Sequence, residues 1–341
     1  RRRGRLSGAP TLLAVASFSF GAALVFTPLV RVLARATGYI DHPDERKPHP
    51  GPMPLLGGVA VAAAMIAGPF LAGALAGASI PAAPMGVLLG GALSLALGLV
   101  DDKRPMRPLG KLIGQIAAAL CLVTWGTSHG FVTDHPALAA IAVFGVVALL
   151  NAINFLDAMD GIVSALVPVT GLGFVALALL HGADVDLALA WGAVGAAAGF
   201  LVYNAPPAKI FLGDAGSHLL GFVLAALSLR ALDDAVTWPH VAAILALLSY
   251  PLFDVVFVVV ARLAERRPIH VGGVDHSTHR LGRICGRWGT LGIISFAALV
   301  GATAGIWLWG QKSDLVTSLA VAVLGLGYAV FGVWLGRARP T

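Results

Sequence analysis

The sequence predicts an all-α polytopic membrane protein with about eleven transmembrane helices. Of the 341 residues, 58% are hydrophobic and 12% are charged, whereas a soluble domain carries about 25% charged residues. Apolar runs of about 20 residues, the length that crosses a bilayer as a helix, recur along the whole chain. The 42 glycines suit membrane helices, whose contacts favour small side chains.

Eleven apolar runs mark the predicted helices in chain order. They cover residues 11–34, 55–78, 85–100, 112–127, 137–154, 162–181, 187–204, 215–232, 241–262, 291–310 and 315–336. The third run is short, at about 16 residues, so its helix is expected to extend into the loop at Asp101. We predict a single transmembrane domain with a tail at each end and five large cytoplasmic loops. The domain covers 11–336, the tails 1–10 and 337–341, and the loops 35–54, 101–111, 151–161, 204–217 and 263–290.

Basic residues are concentrated in alternate loops, and this asymmetry predicts the orientation of the chain. One set of loops contains Arg35, Arg46, Lys47, Lys103, Arg104, Arg107, Lys111, Lys209, Arg266, Arg267, Arg280, Arg283, Arg287, Arg337 and Arg339. The opposite set contains only Lys312. Because Lys and Arg accumulate in cytoplasmic loops, the first set is predicted to be cytoplasmic, with the N-terminus outside and the C-terminus inside. The arginine-rich stretch 1–5 departs from this rule.

The net charge of +6 does not indicate a nucleic-acid partner. In a membrane protein, the simpler source of positive charge is the set of cytoplasmic loops that lie near anionic lipid. The two cysteines also do not indicate a function. Cys121 lies in an apolar run and Cys285 in a basic loop, so we expect neither a disulfide nor thiol chemistry.

Acidic and amide side chains gather at the ends of the apolar runs, on the predicted cytoplasmic side. They are Asp101, Asp102, Asn151, Asn154, Asp157, Asp160 and Asp214. A carboxylate costs roughly 3 kcal/mol at the centre of a bilayer, so such groups near a membrane need a reason. If all of them face one side, they form one hard-cation site. Oxygen ligands with no cysteine and few histidines favour Mg²⁺ or Mn²⁺ over zinc.

Basic side chains are interleaved with these acids, which favours phosphoryl transfer as the chemistry. They are Lys47, Lys103, Lys111, Lys209 and Arg280. Catalysis of phosphoryl transfer depends mostly on positioning and on neutralising negative charge. A simpler alternative stays open for each acidic run, because carboxylates also cap helix ends.

Two further groups, Asp254 and His218, have more than one possible role. Asp254 is predicted to pair with a cytoplasmic base, and His218 either lines the site or binds a neighbouring helix.

Five motifs, in order along the chain, carry a family resemblance. They are the loop 41–58 with Arg46-Lys47-Pro48-His49 and Gly57-Gly58, the pair Asp101-Asp102, the following Lys111, the run Asn151–Gly161, and the run Asn204–Ser217. Together they resemble the polyprenyl-phosphate N-acetylhexosamine-1-phosphate transferases of glycosyltransferase family 4, and in particular the bacterial undecaprenyl-phosphate GlcNAc-1-phosphate branch. One motif departs from the family. Thr278 stands in 275–280 where the family often has a histidine, in a loop that helps to recognise the sugar in the family.

The resemblance implies an integral enzyme of the bacterial inner membrane with its active site on the cytoplasmic face. It would transfer N-acetylhexosamine 1-phosphate from a UDP-sugar to polyprenyl phosphate, release UMP and require Mg²⁺ (or Mn²⁺). This reaction is the first membrane step of cell-envelope glycan synthesis, such as lipopolysaccharide or teichoic acid. The partners implied are the UDP-N-acetylhexosamine, the polyprenyl phosphate, the bilayer and a second copy in a homodimer.

The resemblance also implies a role for individual side chains. Asp214 and Asn154 would bind the metal, and Asp101, Asp102, Lys111 and Asp157 would be catalytic, with Lys111 on phosphate oxygens and Asp157 nearer the ribose. The substrate-binding set would be Lys47, His49, Asp160, Asn204, Phe211, His276, His279 and Arg280. Within that set, Lys47, Asp160 and Phe211 would hold uracil, with Phe211 stacking on the ring, and Arg280 would neutralise phosphate.

Alternatives remain at this point. Direct displacement is favoured over a covalent aspartyl-phosphate, because the acceptor phosphate is already a good nucleophile. A phospho-MurNAc-pentapeptide translocase is the related alternative. A transporter is the alternative from another class, and it predicts acids near the bilayer midplane and internal repeats. The motifs of CDP-alcohol phosphotransferases and aromatic prenyltransferases are absent from the sequence.

Overall fold

The computed structural model describes residues 9–43, 51–77, 83–127, 135–183, 185–233, 236–267 and 275–337. These residues are almost entirely helical, as the sequence predicts. The helices are α1 (Ala9–Thr37), α2 (Gly57–Ala76), α3 (Met85–Lys103), α4 (Pro108–Trp125), α5 (Pro136–Leu156), α6 (Ile162–Ala176), α7 (Leu187–Asn204), α8 (Gly213–Ala231), α9 (Trp238–Leu247), α10 (Ser249–Ala264), α11 (Ser277–Trp309) and α12 (Asp314–Gly336). A π-helical turn, Leu177–His181, continues α6.

Nine helices of the described residues are long and apolar enough to span a membrane, or ten if the bent pair α9–α10 is one span. The predicted count of eleven differs by α8. This helix begins with Gly213-Asp214 and contains Ser217 and His218, yet nearly all of its residues are buried. Because other helices surround α8, its polar first turns face protein rather than lipid. The count of eleven therefore stays a prediction, whereas the all-α membrane fold is confirmed.

The predicted span 241–262 is broken rather than straight. α9 ends and α10 begins around Leu248, and the two helices are bent by 75°. Pro251 lies in the first turn of α10, where its missing N–H removes the hydrogen bond to the Leu247 carbonyl that would carry one helix into the other. The break is therefore explained by the sequence itself.

The predicted loops at 101–111 and 263–290 are shorter than expected. α3 continues to Lys103, so Asp101 and Asp102 belong to the last helical turn and not to a loop. α11 begins at Ser277 and contains a kink at Gly286, where φ is 69°. Only glycine adopts that backbone conformation readily, so Gly286 lets the chain turn from the helical segment that begins at Ser277 into the following membrane span.

Two close backbone contacts fix α8 at the centre of the bundle. A side chain at Gly58 of α2 would collide with the backbone of Gly216, and one at Gly98 of α3 would collide with Ala215. α2 and α3 therefore lie backbone-to-backbone against the first turn of α8. Such approaches are typical of membrane helices with small residues at their contacts.

A two-stranded antiparallel sheet connects α1 to α2. It pairs β1 (Ile40–Asp41) with β2 (Met53–Pro54). The segment before α8 extends this arrangement, because the Phe211 N–H donates to the Pro54 carbonyl at 2.9 Å and the Gly57 N–H donates to the Phe211 carbonyl at 3.1 Å. The end of the connection between α1 and α2 is thereby attached to the start of α8.

Candidate active site

Lys111 lies at the centre of a polar cluster built by four helices. Its Nζ donates to Asp101 Oδ2 at 2.8 Å and Asp214 Oδ2 at 2.7 Å. Asn154 Oδ1 lies 3.4 Å from the same Nζ. The three oxygens come from the end of α3, the start of α8 and the end of α5. The structure thus brings together one side chain from each of the three acidic runs, around one cation.

The two neighbouring aspartates have different contacts. Asp101 faces Lys111 with one oxygen and accepts the Met106 N–H at 2.6 Å with the other, which closes the turn between α3 and α4. Asp102 accepts the backbone N–H groups of Asp214 and Ala215, at 2.8 and 3.1 Å. The first N–H groups of a helix have no partner within it and favour an anion.

Asp102 therefore caps α8, a helix other than its own. Gly213 allows this approach because its φ is +76° and a side chain there would meet the Asp102 carboxylate. The capping alternative, which the sequence left open for the pair, describes the contacts of Asp102 and not those of Asp101.

Asn154 orients Asp214 from the other side. Its Nδ2 donates to Asp214 Oδ1 and to Ser217 Oγ, both at 2.9 Å. The amide oxygen is therefore turned towards Lys111. This arrangement leaves the oxygens of Asp101, Asn154 and Asp214 facing one point.

Gln115, Asn151 and His218 form a buried hydrogen-bonded chain next to the cluster. The sequence analysis did not predict that these three side chains are connected. Gln115 Nε2 donates to Asn151 Oδ1 at 3.1 Å and lies 3.1 Å from His218 Nε2. The Asn151 amide is fixed, because its Nδ2 donates to the Val147 carbonyl at 2.8 Å and to Gln115 Oε1 at 2.9 Å. His218 Nε2 must then accept, so Nδ1 carries the hydrogen and donates to the Asp214 carbonyl at 2.7 Å.

Through His218, this chain holds the backbone carbonyl of Asp214 in place. The available signal was a glutamine one helical turn after Lys111, on the same face of α4. His218, left open by the sequence, binds within its own helix and reaches α4 through Gln115.

Replacing Gln115 by leucine is expected to destabilise the protein and lower its activity several-fold. The substitution leaves the Asn151 amide and His218 Nε2 without their partner in a buried site, at a cost of about 1–3 kcal/mol. Thermal unfolding in detergent should show a lower apparent melting temperature. Gln311→Leu is the control, because Gln311 lies two residues after the end of α11 and donates to the Trp307 carbonyl of that helix. An unchanged melting temperature in Gln115→Leu would contradict the structural role.

The turn after α5 is joined to the segment before α8 by two predicted substrate-binding residues. Asp160 Oδ2 accepts the Ala208 N–H at 3.1 Å and pairs with Arg287 at 3.0 Å. Asn204 is 3% exposed, accepts from the Gly161 N–H and the Ser164 hydroxyl, and donates to the Ile210 carbonyl. These bonds give Asn204 a structural role, and its contact with substrate stays a prediction.

The remaining predicted residues are distributed around the cluster. Asp157 follows the last residue of α5, and Phe211 lies partly buried two residues before α8. The His276 ring lies 5.6 Å from that of Phe155, next to Asn154, and 6.4 Å from that of His279. Lys47 and His49 lie outside the described residues.

Arg280 has contacts away from the Lys111 cluster. It is 2% exposed, its guanidinium lies 5.1 Å from the Phe257 ring, and it donates to the Gly336 carbonyl at 3.3 Å. Its role in binding phosphate therefore stays a prediction without support from these contacts.

The loop that carries His276 is fixed at its described ends by Asp275. Its carboxylate accepts from Arg262 at 3.2 Å and from Arg267 at 2.7 Å. Burial alone would raise the pKa of Asp275, but the hydrogen bonds and charges of the two arginines outweigh burial, so the pKa lies below its usual range. The ion pair thus remains formed at neutral pH.

The donor set suits a hard cation. Two carboxylates and an amide oxygen face one point, and Mg²⁺ typically takes one or two carboxylates and completes its shell with water and substrate phosphate. In the described part of the chain, no three His, Cys, Asp or Glu side chains are arranged to hold a metal by themselves. The residues therefore fit an ion that shares its shell with substrate, and they do not fit a closed zinc site.

Comparison with known proteins identifies the family of the chain. Residues 84–232, which include α3 to α8, match the family described as glycosyl transferase family 4. The chain is 33% identical over 268 residues to a probable undecaprenyl-phosphate N-acetylglucosaminyl 1-phosphate transferase of Bacillus subtilis, covering 76% of this chain and 74% of the relative.

Two further relatives represent different branches of the family. A decaprenyl-phosphate N-acetylglucosaminephosphotransferase of Mycobacterium tuberculosis is 32% identical, over 74% of this chain and 71% of the relative. A phospho-N-acetylmuramoyl-pentapeptide-transferase of Rubrobacter xylanophilus is 33% identical over only 42% of this chain and 43% of the relative. With 32% and 33% identity to relatives over most of both chains, the protein belongs to glycosyl transferase family 4, as a polyprenyl-phosphate N-acetylglucosaminyl-1-phosphate transferase-type membrane enzyme.

Proposed function

We propose that the protein transfers N-acetylglucosamine 1-phosphate from UDP-N-acetylglucosamine to a polyprenyl phosphate and releases UMP. The observation that carries this proposal is the convergence of Asp101, Asn154 and Asp214 on Lys111 at one end of the bundle. The Bacillus and Mycobacterium relatives are named for this reaction, with undecaprenyl and decaprenyl acceptors. We place the site on the cytoplasmic face of a bacterial inner membrane, because its side chains stand at the helix ends where the basic residues of the sequence are concentrated.

The main obstacle to this reaction is electrostatic. Two unit negative charges 4 Å apart repel by about 4 kcal/mol at an effective dielectric constant near 20, and both reactants carry phosphate charges. Lys111 supplies a positive charge where the transferring phosphate would lie. Its side chain is 20% exposed, so its ammonium can be reached from the site without unfolding the cluster.

Asp214 and Asn154 are the side chains that would hold Mg²⁺, and Mn²⁺ could replace it. Bound there, the ion would neutralise charge on the diphosphate of the donor. Support comes from the oxygens already gathered around the Lys111 ammonium, because an arrangement that binds one cation at the site suits another. Asp102 contributes indirectly, by fixing the first turn of α8 and with it the Asp214 backbone.

The bond changes follow a direct displacement. A phosphate oxygen of the acceptor attacks the sugar-bound phosphorus of the donor. The bond from that phosphorus to the bridging oxygen breaks, and this oxygen leaves on UMP with the electron pair. A phosphate monoester has a second pKa of about 6 and is largely dianionic at neutral pH, so no strong base is required. Both oxygens of Asp101 accept hydrogen bonds, which disfavours Asp101 as a covalent nucleophile.

The remaining donor contacts are proposed on the resemblance of the motifs. Asp160 and Phe211 would hold uracil, Asp157 would lie nearer the ribose, and Lys47, His49, His276, His279 and Arg280 would contact the donor. The pentapeptide-bearing branch is less favoured, because the relative that carries this name is matched over less than half of either chain.

The test is UMP release by the purified protein in detergent with undecaprenyl phosphate, Mg²⁺ and a panel of UDP-sugars. Release that requires the lipid and UDP-N-acetylglucosamine, and that stops with EDTA, is expected. Asp214→Ala should reduce it by at least about 100-fold, in the range found for removal of a main electrostatic group. No release with any UDP-N-acetylhexosamine would overturn the proposed function.

A further inference from the structure

Asp254 is a fully buried carboxylate that belongs to none of the acidic runs around Lys111. It lies in α10, just after the break in the predicted ninth span, and its exposed fraction is 0%. A buried carboxylate is costly unless hydrogen bonds satisfy it. Its Oδ1 accepts from the Ser277 N–H at 2.8 Å and the Ser277 hydroxyl at 2.5 Å, and its Oδ2 lies 2.8 Å from His276 Nδ1.

These contacts fix the tautomer of His276. An ionised carboxylate can only accept hydrogen bonds, so Nδ1 must carry the hydrogen in the contact with Asp254. In the neutral ring Nε2 is then a hydrogen-bond acceptor. Among the residues that the structure describes, none forms a hydrogen bond with Nε2, and the side chain is 11% exposed. One nitrogen is therefore held by the protein, while the other is available to a ligand.

The carboxylate is itself held in place. Because the Ser277 hydroxyl donates to Asp254, it must accept from the Tyr250 hydroxyl, 2.8 Å away. Tyr250 is 1% exposed and Ser277 is fully buried. The imidazole thus rests on a chain of buried groups from α10 and the start of α11.

The ring packs against the last turn of α5, the turn that also carries Asn154. His276 packs against Phe155 with 5.6 Å between ring centroids, and Phe155 directly follows Asn154. The Asn154 side chain donates to Asp214. The nitrogen left available by Asp254 is therefore on a ring that contacts the turn of α5 carrying Asn154, whereas the carboxylate is 0% exposed.

We propose that Asp254 is a positioning residue, which holds His276 as the Nδ1–H tautomer so that Nε2 accepts a hydrogen bond from the nucleotide-sugar donor. The proposal rests on the proposed function, since that function defines the donor. An acceptor nitrogen suits a hydroxyl or amide N–H of the sugar rather than a phosphate oxygen. Asp254 acts through His276 and does not touch the substrate.

Asp254→Asn is the sharpest variant, because it keeps the size of the side chain and reverses the contact with the ring. The amide oxygen of the variant can still accept from Ser277, but its NH₂ group would face Nδ1. Nδ1 would have to become the acceptor, and Nε2 would carry the hydrogen. We expect kcat/KM for UDP-N-acetylglucosamine to fall by about 10–100-fold, the usual range when a residue that orients a functional histidine is lost. KM for the lipid should not change.

The controls separate positioning from a general structural effect. Ser277→Ala removes a hydrogen bond to Asp254 and leaves the contact with His276, so it should lower the apparent melting temperature while the hydrogen stays on His276 Nδ1. In a His276→Gln background, Asp254→Asn should cause no further loss, because the two residues act as one unit. Additive losses, or an equal rise in KM for both substrates, would overturn the proposal.

A readout independent of turnover is the tautomer itself. In protein labelled with ¹⁵N-histidine, the His276 signals, assigned from His276→Gln, should report hydrogen on Nδ1 in the wild type and on Nε2 in Asp254→Asn. Hydrogen on Nε2 in the wild type would overturn the inference. An inactive wild type with the expected tautomers would instead refute the proposed function and with it the role towards the donor. An active wild type with unchanged kinetics in Asp254→Asn would refute the inference alone.

Discussion

Replacing Lys111 by methionine is expected to reduce turnover by at least about 100–1000-fold, in the range measured when one preorganised electrostatic group is removed from an active site. The Lys111 ammonium contacts oxygens of Asp101, Asn154 and Asp214 together. Methionine preserves the approximate length of the side chain but not its charge. The transferring phosphate would then lose one of the two cations that are proposed to compensate its charge. The measurement is steady-state UMP release under saturating lipid.

The same substitution has a second expected effect, of opposite sign, on metal binding. In the structure, the ammonium occupies the point that the three oxygens face, so it competes with a divalent cation for them. Without substrate, Lys111→Met should bind Mn²⁺ more tightly than the wild type, as measured by electron paramagnetic resonance, while its turnover falls. Tighter binding with lower activity would show that the variant is folded and that the lost charge is the cause.

Lys103→Met is the matched control for Lys111→Met. Lys103 lies at the same end of the bundle, but its Nζ donates to the Thr37 and Gly38 carbonyls at 2.6 and 3.1 Å and lies 4.7 Å from the Tyr39 ring. These contacts join α3 to the end of α1 and do not involve the side chains of the Lys111 cluster. Turnover within a few-fold of wild type is expected. If Lys111→Met behaved like Lys103→Met, the cluster would not be the catalytic centre.

The difference between these lysines shows how far the sequence predicts the site. Composition and charge pattern place several acidic and basic residues on the same predicted side of the membrane, because each stands at the end of an apolar run. They do not distinguish Lys111 from Lys103, since both follow the Asp101-Asp102 pair, and only the resemblance of the motifs singles out Lys111. The distinction depends on which helix faces α8, and that is decided by packing between residues about a hundred positions apart.

In the fold as well, the sequence pattern predicts some features while packing decides others. Apolar runs predict where helices lie, because the length of a span is fixed by the thickness of the bilayer. They fail where a helix is shielded from lipid or interrupted. α8 is surrounded by protein and tolerates polar residues, and α9–α10 breaks near Pro251. α11 begins before the apolar run because it joins two helical segments across a kink at Gly286, whose backbone is not helical. Local glycine and proline geometry explains the last two cases.

Asp102→Ala is expected to destabilise the protein and to reduce turnover by at least about tenfold. The substitution leaves the N–H groups of Asp214 and Ala215 without the carboxylate that accepts from them. Loss of a helix cap costs about 0.5–2 kcal/mol, and here the capped residue is itself part of the Lys111 cluster. Turnover should fall because the Asp214 backbone is no longer fixed. The measurements are UMP release and the apparent melting temperature in detergent, at one scan rate.

Asp102→Asn distinguishes this structural role from a role as a general base. The amide oxygen can still accept the Asp214 N–H, but the NH₂ group would face the Ala215 N–H, and two donors cannot bond. A cap should therefore give intermediate loss of both stability and turnover in Asp102→Asn. A base would give the same loss of turnover in both variants, with the melting temperature unchanged.

Asp314→Ala is the matched control for the loss of an acid at a helix start. Asp314 is exposed in the first turn of α12, whose cap is Ser313. Its favourable interaction with the helix dipole is worth about 0.3–1 kcal/mol at an exposed site, so we expect a small change in melting temperature and no change in turnover. If Asp102→Ala lowered the melting temperature no more than Asp314→Ala does, the cap would be energetically unimportant. The pairing of Asp102 with α8 would then be better explained by a direct role of its carboxylate in the reaction.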